Sequence, residues 1–323
     1  MPDYRINRIG AGDFATLVPL MKDCFGQDVD ISYFHWKYID NPAGHFIGFI
    51  AIEPTTNEIG AYYGVVPQNF IIDGRERTIY QSCDTMTHSK HRRLGLFKML
   101  ALECFRYLKE ENKFFIIGFG GSQSTPGFLK FGWKHLFDFR YYFKHSIFCH
   151  IARLSSFSTG SFKEENDLNK LQPLFDRIKQ PAAIHSRRNL RHITWRTKNP
   201  NYIYKTITYS EQDIVEGYAI YYVLNEKMIL FDFVFNTKKA EKGLLWYLSK
   251  EVLKNNYQGI IAFCQEKGEQ AKLLQGNRFI KNPFKKGPLS EKTPFIFFAS
   301  DEEMNKYFSH DKWHITGYDH DAL

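Results

Sequence analysis

The sequence predicts an α/β chain, α+β in that its strands are mostly antiparallel, built as two tandem domains that each carry a mixed sheet flanked by helices. Three observations lead there. Segments with a period of two and segments with a helical period alternate through the first 150 residues; a stretch poor in strand character follows at 154–182; and beyond it the same order of segments starts again. Length agrees, since 323 residues with 43% hydrophobic and 17% aromatic content bury a large core and favour two domains over one.

In the first half, "YRINRI" (4–9) reads as a strand, "DFATLVPLMKDCF" (13–25) as a helix, and "DISYFHWKYIDNP" (30–42) as a second helix stopped by Pro42. "HFIGFIAIE" (45–53) and "EIGAYYGVVPQNFIIDG" (58–74) are strands joined by the turn "PTTN". The pair Asp73-Gly74 is a hairpin signal leading into "RERTIYQSCDTMTH" (75–88). A basic stretch then opens a helix at 94–111. "KFFIIGFGG" (113–121) is an apolar strand, "SQSTPGFLKFG" a short helix, and "KHLFDFRYYFKHSIF" a last extended segment.

The Ser-, Gly-, Asn- and charge-rich segment 154–182 reads as a linker and surface helix, dividing the chain into domains 1–153 and 183–323. In the second domain Trp195 and Asn199-Pro200 repeat the spacing of Trp36 and Asn41-Pro42 ahead of an alternating strand. "VEGYAIYYVLN" matches "IGAYYGVVPQN", "AEKGLLWYLSKEVLKNN" the long helix, and "QGIIAFCQ" the apolar strand. The doubled Trp and Asn-Pro are read as packing features, because a substrate contact has no reason to recur in both copies.

Charged residues make up 24% of the chain, mixed in sign, and the net charge of +8 is spread without a polybasic tail. A broadly basic surface of this kind suits a small anionic ligand; nucleic acid is not an expected partner, since no Lys/Arg stripe runs along one element. No run of about 18 apolar residues predicts a membrane span, and "MPDYRINRIGAGDF" lacks the pattern of a signal peptide, so a cytoplasmic setting and no membrane partner are expected. The five cysteines, Cys24, Cys83, Cys104, Cys149 and Cys264, are scattered and lack the spacing of a metal site or disulfide framework. The C-terminal "SHDKWHITGYDHDAL" gathers His310, His314 and His320 with three Asp but without a fixed-face ligand spacing, so no metal is expected.

The chemistry concentrates in "THSKHRRLGLFKML" (87–100), where a strand meets a turn, a glycine and the start of a helix. The first N–H groups of a helix have no partner within it and the macrodipole adds about half a positive charge there. A glycine lets backbone approach a ligand, and Arg92 and Arg93 add attraction for a compact anion such as a pyrophosphate.

Arg92-Arg93-Leu94-Gly95-Leu96-Phe97 resembles the Q/R-x-x-G-x-G/A loop of the GNAT superfamily of N-acetyltransferases, and the order of elements over about 4–150 is similar too. Within it, "THSKHRRLGLF" is most like the tandem-domain branch that includes the enhanced intracellular survival acetyltransferases, although no third, sterol-carrier-like region follows here. The resemblance implies acetyl-CoA as co-substrate, its pyrophosphate on Arg92, Arg93, Leu94, Gly95, Leu96 and Phe97, and its pantetheine arm on the backbone of Thr85, Met86 and Thr87. Phe97 departs from the family's small residue, so its ring must turn away from the ligand. "NTKKAEKGLL" in the second domain lacks the paired arginines and the glycine, which makes that copy degenerate.

Acyl transfer to an amine needs a base for the ammonium proton and an acid for the leaving thiolate. Many relatives place a Tyr acid where this chain has Phe128, so Ser122, Gln123, Ser124 and Thr125 are the substitutes that can hydrogen-bond the sulfur. Asp84, on the strand before the loop, is the candidate base, with a carboxylate satisfied by its neighbours as the competing reading. Asp321 and the rest of the C-terminal tail are a second source of carboxylate if the tail reaches the first domain's cleft. The expected activity is direct transfer, in a ternary complex, from acetyl-CoA to a small amine acceptor. Competing expectations are a degenerate binder of CoA or an acyl carrier, and an aminoacyl transferase of the peptidoglycan-bridge type.

Overall fold

The computed structural model describes residues 3–121, 124–153, 160–178, 182–282 and 293–321. In chain order the strands and helices of the first half are β1 (Arg5–Arg8), α1 (Leu17–Phe25), α2 (Ile31–Phe34), β2 (Ile47–Ile52), β3 (Ile59–Ile72), β4 (Arg75–Thr87), α3 (Leu96–Glu110), β5 (Ile116–Phe119) and α4 (Thr125–Lys130). The second half has β6 (Lys134–His145), α5 (Ser146–Cys149), β7 (Ser161–Glu164), α6 (Gln172–Arg177), β8 (Ile184–Ser186), α7 (Leu190–Arg196), β9 (Lys205–Glu211), β10 (Ile214–Leu224) and β11 (Lys227–Phe235). It closes with α8 (Lys238–Lys254), β12 (Gly259–Gln265), α9 (Glu269–Gly276), β13 (Ile280–Lys281), β14 (Thr293–Phe298), α10 (Asp301–Tyr307) and β15 (Trp313–His314).

Contacts group the chain into two compact units. One holds 1–136, 198–201 and 294–309; the other holds 137–197, 202–293 and 310–323. The first unit's sheet runs β1-β2-β3-β4-β5-β14, antiparallel except for the parallel pair β4/β5. In the second unit β7-β9-β10-β11-β12-β6 follows with the same senses, β11/β12 being the parallel pair. The internal repeat is therefore real at the level of strand pairing. Its sixth strand, however, is exchanged: the first unit takes β14 from after the second copy, and the second takes β6 from before it. The composition-based division at 154–182 sits elsewhere than the contact boundary at 136–137, and within that segment Ser161–Glu164 is a strand paired with β9.

Helix formation follows the apolar period. In α3, Leu96, Leu100, Cys104 and Leu108 recur every fourth residue and are buried against Phe49, Tyr63 and Ile116. Around α8, Leu244, Leu248 and Val252 do the same against Tyr221, Met228 and Ile260. Asp73 and Gly74 both take positive φ, 50° and 77°, as the two-residue β3/β4 turn requires. Asn41 and Asn199, both buried, each accept the backbone N–H two residues on with Oδ1, and Trp36 and Trp195 are buried as well. The doubled Trp and Asn-Pro are thus packing and turn features in both copies. No described helix is long and apolar enough to cross a membrane.

Candidate active site

In the first unit β4 and β5 pair only over Tyr80/Ile116, Gln81/Ile117 and Ser82/Gly118. β4 continues to Thr87, so its last five residues face the β5 side without a strand partner there. A bulge accompanies the parting: Tyr62 lies opposite Met86 and Gly64 opposite Cys83, leaving Asp84 and Thr85 against Tyr63 alone. Asp84 takes φ +46°, a conformation that Asp tolerates better than most residues. Beyond Ser82 the backbone of Cys83 to Thr87 has no strand partner on the β5 side among the described residues, and Thr87 O accepts from Cys24 Sγ and Arg92 Nε.

Past Thr87, His88 donates its N–H to Gly60 O at 2.9 Å and caps a short 3-10 turn, Ser89–His91. Asp23 of α1 accepts from Ser89 N and Oγ at 2.7 and 2.8 Å, which holds its carboxyl below the usual range. His91 is buried and meets Tyr4 Oη and Glu58, and Glu58 also lies near Lys90 and His88. Glu58, His88 and His91 bring ligand atoms within 4.8 Å of one another. His88 Nδ1 accepts from Lys90 N, His88 Nε2 lies 3.9 Å from Glu58, and His91 Nε2 lies 3.3 Å from it, so these three side chains are placed where they could hold a metal ion.

Arg93 (φ 67°) and Gly95 (φ 79°) both adopt the left-handed conformation, and Gly95 is the N-cap of α3 with no side-chain cap. Leu96, Phe97 and Lys98 thereby begin the helix without a side-chain cap among the described residues, beside the exposed Arg92, Arg93 and Leu94. Phe97 turns away as its size requires, packing on Phe128 and Phe131 at centroid distances of 4.9 and 5.4 Å. Phe128 is itself buried against Trp133.

The other sequence-level candidates fall as follows. Ser124 Oγ accepts from Gly121 N at 3.2 Å, leaving its hydroxyl proton to donate elsewhere, whereas Thr125 Oγ1 donates to Gly121 O at 2.8 Å. Ser122 and Gln123 lie outside the described residues. Asp321 belongs to the second unit, beside His320, while the neighbouring Asp319 is buried there and accepts from Thr316 N.

Two residues that the sequence reading passed over join Asp84. Lys37 Nζ lies 2.9 Å from Oδ1 and 2.8 Å from Oδ2, and Tyr38 Oη donates to Oδ2 at 2.7 Å. Lys37 is almost fully buried, and burial together with the Asp84 charge pushes the Tyr38 hydroxyl well up, so it keeps its proton. The signal was a lone lysine inside the apolar run "FHWKYI". Cys24 is also nearer than expected, its Sγ donating to Thr87 O at 3.3 Å; burial raises that thiol, which makes it a poor nucleophile.

Residues 5–136 match the family model described as an acetyltransferase (GNAT) domain. No curated protein matches the chain. Among solved structures, a probable N-acyltransferase from Enterococcus faecalis V583 superposes with a TM-score of 0.70 at 11% identity, covering 92% of this chain and 72% of that one. A GCN5-related N-acetyltransferase from Anabaena variabilis gives 0.65 at 10% identity, with 91% and 72% covered. Saccharomyces cerevisiae N-myristoyltransferase with bound myristoyl-CoA gives 0.62 at 11% identity, with 93% and 79% covered. The forked β4/β5 pair and the glycine-led α3 lie within the residues that match the acetyltransferase (GNAT) domain, and that match supports an acyltransferase as the enzyme class.

Proposed function

We propose that the protein transfers an acyl group, acetyl in the simplest case, from its CoA thioester to the amine of a small polar acceptor by direct attack in a ternary complex, as a cytoplasmic tandem-domain acetyltransferase. The observation that carries this is the uncapped start of α3 behind Gly95, set beside the open end of β4. Pyrophosphate takes the helix end with Arg92 and Arg93, and the pantetheine arm takes the backbone of Thr85, Met86 and Thr87. Direct transfer is favoured because Cys83 is buried and the Cys24 thiol is held protonated.

Asp84 is the base of this reading. Lys37 and Tyr38 fix its carboxylate in the bulge, where it receives a proton from an ammonium that approaches along the fork. Ser124 is the group that hydrogen-bonds the departing sulfur. A second reading, a CoA or acyl-carrier binder without turnover, draws on one observation: Phe128 fills the place of the family's acid and is packed in the core.

The deciding experiment measures free CoA release from acetyl-CoA across a panel of amines, amino acids and amino sugars. Amine-dependent release supports the transferase; tight CoA binding without release for any amine supports the binder. Asp321→Asn tests the tail more cleanly than truncation at 318, because Tyr318 is fully buried and bonds His192 within the second unit. Lost turnover in Asp321→Asn with normal turnover in Asp84→Asn would move the base to the tail.

A further inference from the structure

The buried cations of this chain differ in what they face. Lys37 meets the Asp84 carboxylate at 2.8 Å, and Arg188 meets Asp232 at 3.0 Å. Lys144, on β6, is nine-tenths buried and meets no carboxylate among the described residues. Its Nζ donates to Ser249 Oγ of α8 at 3.1 Å and lies 5.7 Å from the centre of the Phe279 ring. Ser249 Oγ in turn donates to Leu245 O at 2.7 Å, so its proton is committed and its lone pair serves the lysine. An ammonium has three protons, which leaves two of them without an acceptor among the described residues. A buried charge with no counter-charge is costly, and for that reason buried ions are found paired.

The Lys144 side chain stands in the wall of a cavity of about 200 Å³ inside the second unit. The other walls are α8, through Lys242 and Trp246, the Phe148 side of α5, and Arg278 just past α9. Three of the lining residues are cationic, Lys144, Lys242 and Arg278, and no Asp or Glu is among them. Lys242 and Arg278 are exposed and, like Lys144, form no ion pair among the described residues. Burial pushes the Lys144 ammonium down from its usual value, and the Arg278 charge adds to that. The walls thus carry three positive charges that only a bound anion would balance.

We propose that this cavity is an anion site, separate from the loop at 92–97, which takes a small phosphate-bearing dianion. The phosphate accepts from Lys144 at the buried end and from Lys242 and Arg278 at the exposed one, charge-assisted donors on several sides of a tetrahedral group. Volume sets the upper limit. About 200 Å³ falls short of the roughly 300–1,000 Å³ of sites for drug-sized ligands, so a phosphate with a few further atoms fits and a whole nucleotide does not. Charge sets the lower limit, since a monoanion such as acetate leaves two of the three cations unbalanced.

The test is equilibrium dialysis of the full chain against radiolabelled inorganic phosphate, at mildly alkaline pH and fixed ionic strength, with acetate and methylammonium as competitors. The expected result is a saturable phosphate site at about 1 mM or tighter, which acetate displaces only at tenfold or greater excess and methylammonium does not displace. Lys242→Glu, at an exposed position, should keep the fold and weaken phosphate at least tenfold. Lys144→Met should weaken it as much, and phosphate should raise the melting temperature of the parent protein but not of either variant. Gly95→Val, altered at the start of α3 in the other unit, should bind phosphate as the parent does. Absence of saturable binding, displacement by methylammonium or by equal acetate, full affinity in folded Lys242→Glu or Lys144→Met, or loss of the site in Gly95→Val would each overturn the proposal.

Discussion

Two forks of one design lie in the same chain and have opposite fates. Beyond Ser82 in the first unit and beyond Leu230 in the second, a parallel strand pair parts and a helix begins behind it. In the first, the helix opens on Gly95 with no side-chain cap; in the second, Thr237 caps it and residues 316–318 sit in the gap. On the proposed function, what separates the cofactor fork from the closed one is whether the helix behind it begins with a side-chain cap and whether another segment already fills the gap. An acyl-CoA competes for open groups and has nothing to win at satisfied ones.

The comparison sharpens most under acid. His192, buried, and His314, half-buried, both in the second unit, are pushed down to about 3, chiefly by desolvation and then by nearby Arg charge. Unfolding lets both rings protonate near 6.5. The unfolded state thus binds more protons between pH 6.5 and 3, and stability falls as pH falls through that window, by about 1.4 kcal/mol per pH unit for each ring. Hydrogen exchange followed segment by segment from pH 7 to 4 should show the second unit opening before the first. Equal loss of protection in both would break this contrast.

Next in size is Asp84→Asn. Asn tolerates the left-handed backbone at this position, so the bulge survives while the base is removed. Turnover should drop by roughly two orders of magnitude, with CoA affinity retained. The buried Lys37 loses its counter-charge in that variant, at a cost of about 3 kcal/mol. Lys37→Met combined with Asp84→Asn should recover stability but not activity, which separates the chemical role of the pair from its structural one.

Gly95→Val comes third. The protein itself has room, since nothing lies within 4 Å of a Cβ built there, but φ +79° strains a β-branched residue and the added atoms occupy the approach to the helix end. CoA binding should weaken at least tenfold, about 1.4 kcal/mol, in a titration that also reports one CoA per chain for the parent protein. Two equivalent CoA sites would mean that the second fork is not closed.

The smallest effect is expected at the matching point of the other unit. Thr237→Ala removes the cap of α8 and should cost about 1 kcal/mol of stability, read as a lower melting temperature, with CoA affinity unchanged. A change in CoA binding would assign the cofactor to the second unit as well.

Several of these features were readable before any coordinates. The run from Thr87 to Leu100 carries its own instructions: a strand end, a glycine free to take positive φ, and an apolar fourth-residue spacing that starts the helix at once. The packing of Phe97 on Phe128 and Phe131 agrees with what its size, set against the small residue of the resembling loop, implies. Lys37 escaped notice because its neighbours in the chain, Trp36 and Tyr38, are apolar core residues, and only the bulge at Asp84 gives its ammonium a partner. Cys24 was passed over for a similar reason, since α1 brings it to Thr87 across 63 positions of chain.

Local pattern determined what depends on neighbours in sequence: the period of each element, the turn at Asp73-Gly74, the repeat marked by the two Asn-Pro pairs, and the glycine-led start of α3. Tertiary structure decided what depends on distant backbone. Strand order and the exchange of β6 and β14 turn on which edges find hydrogen-bond partners, and no side-chain period encodes a partner's identity. The terminal segment likewise carries acidic residues that read from sequence as a reach toward the first domain's cleft. Burying Tyr318 and pairing Thr316 with Cys264 satisfies backbone and apolar surface in the second unit's own fork, partners that lie far away in sequence.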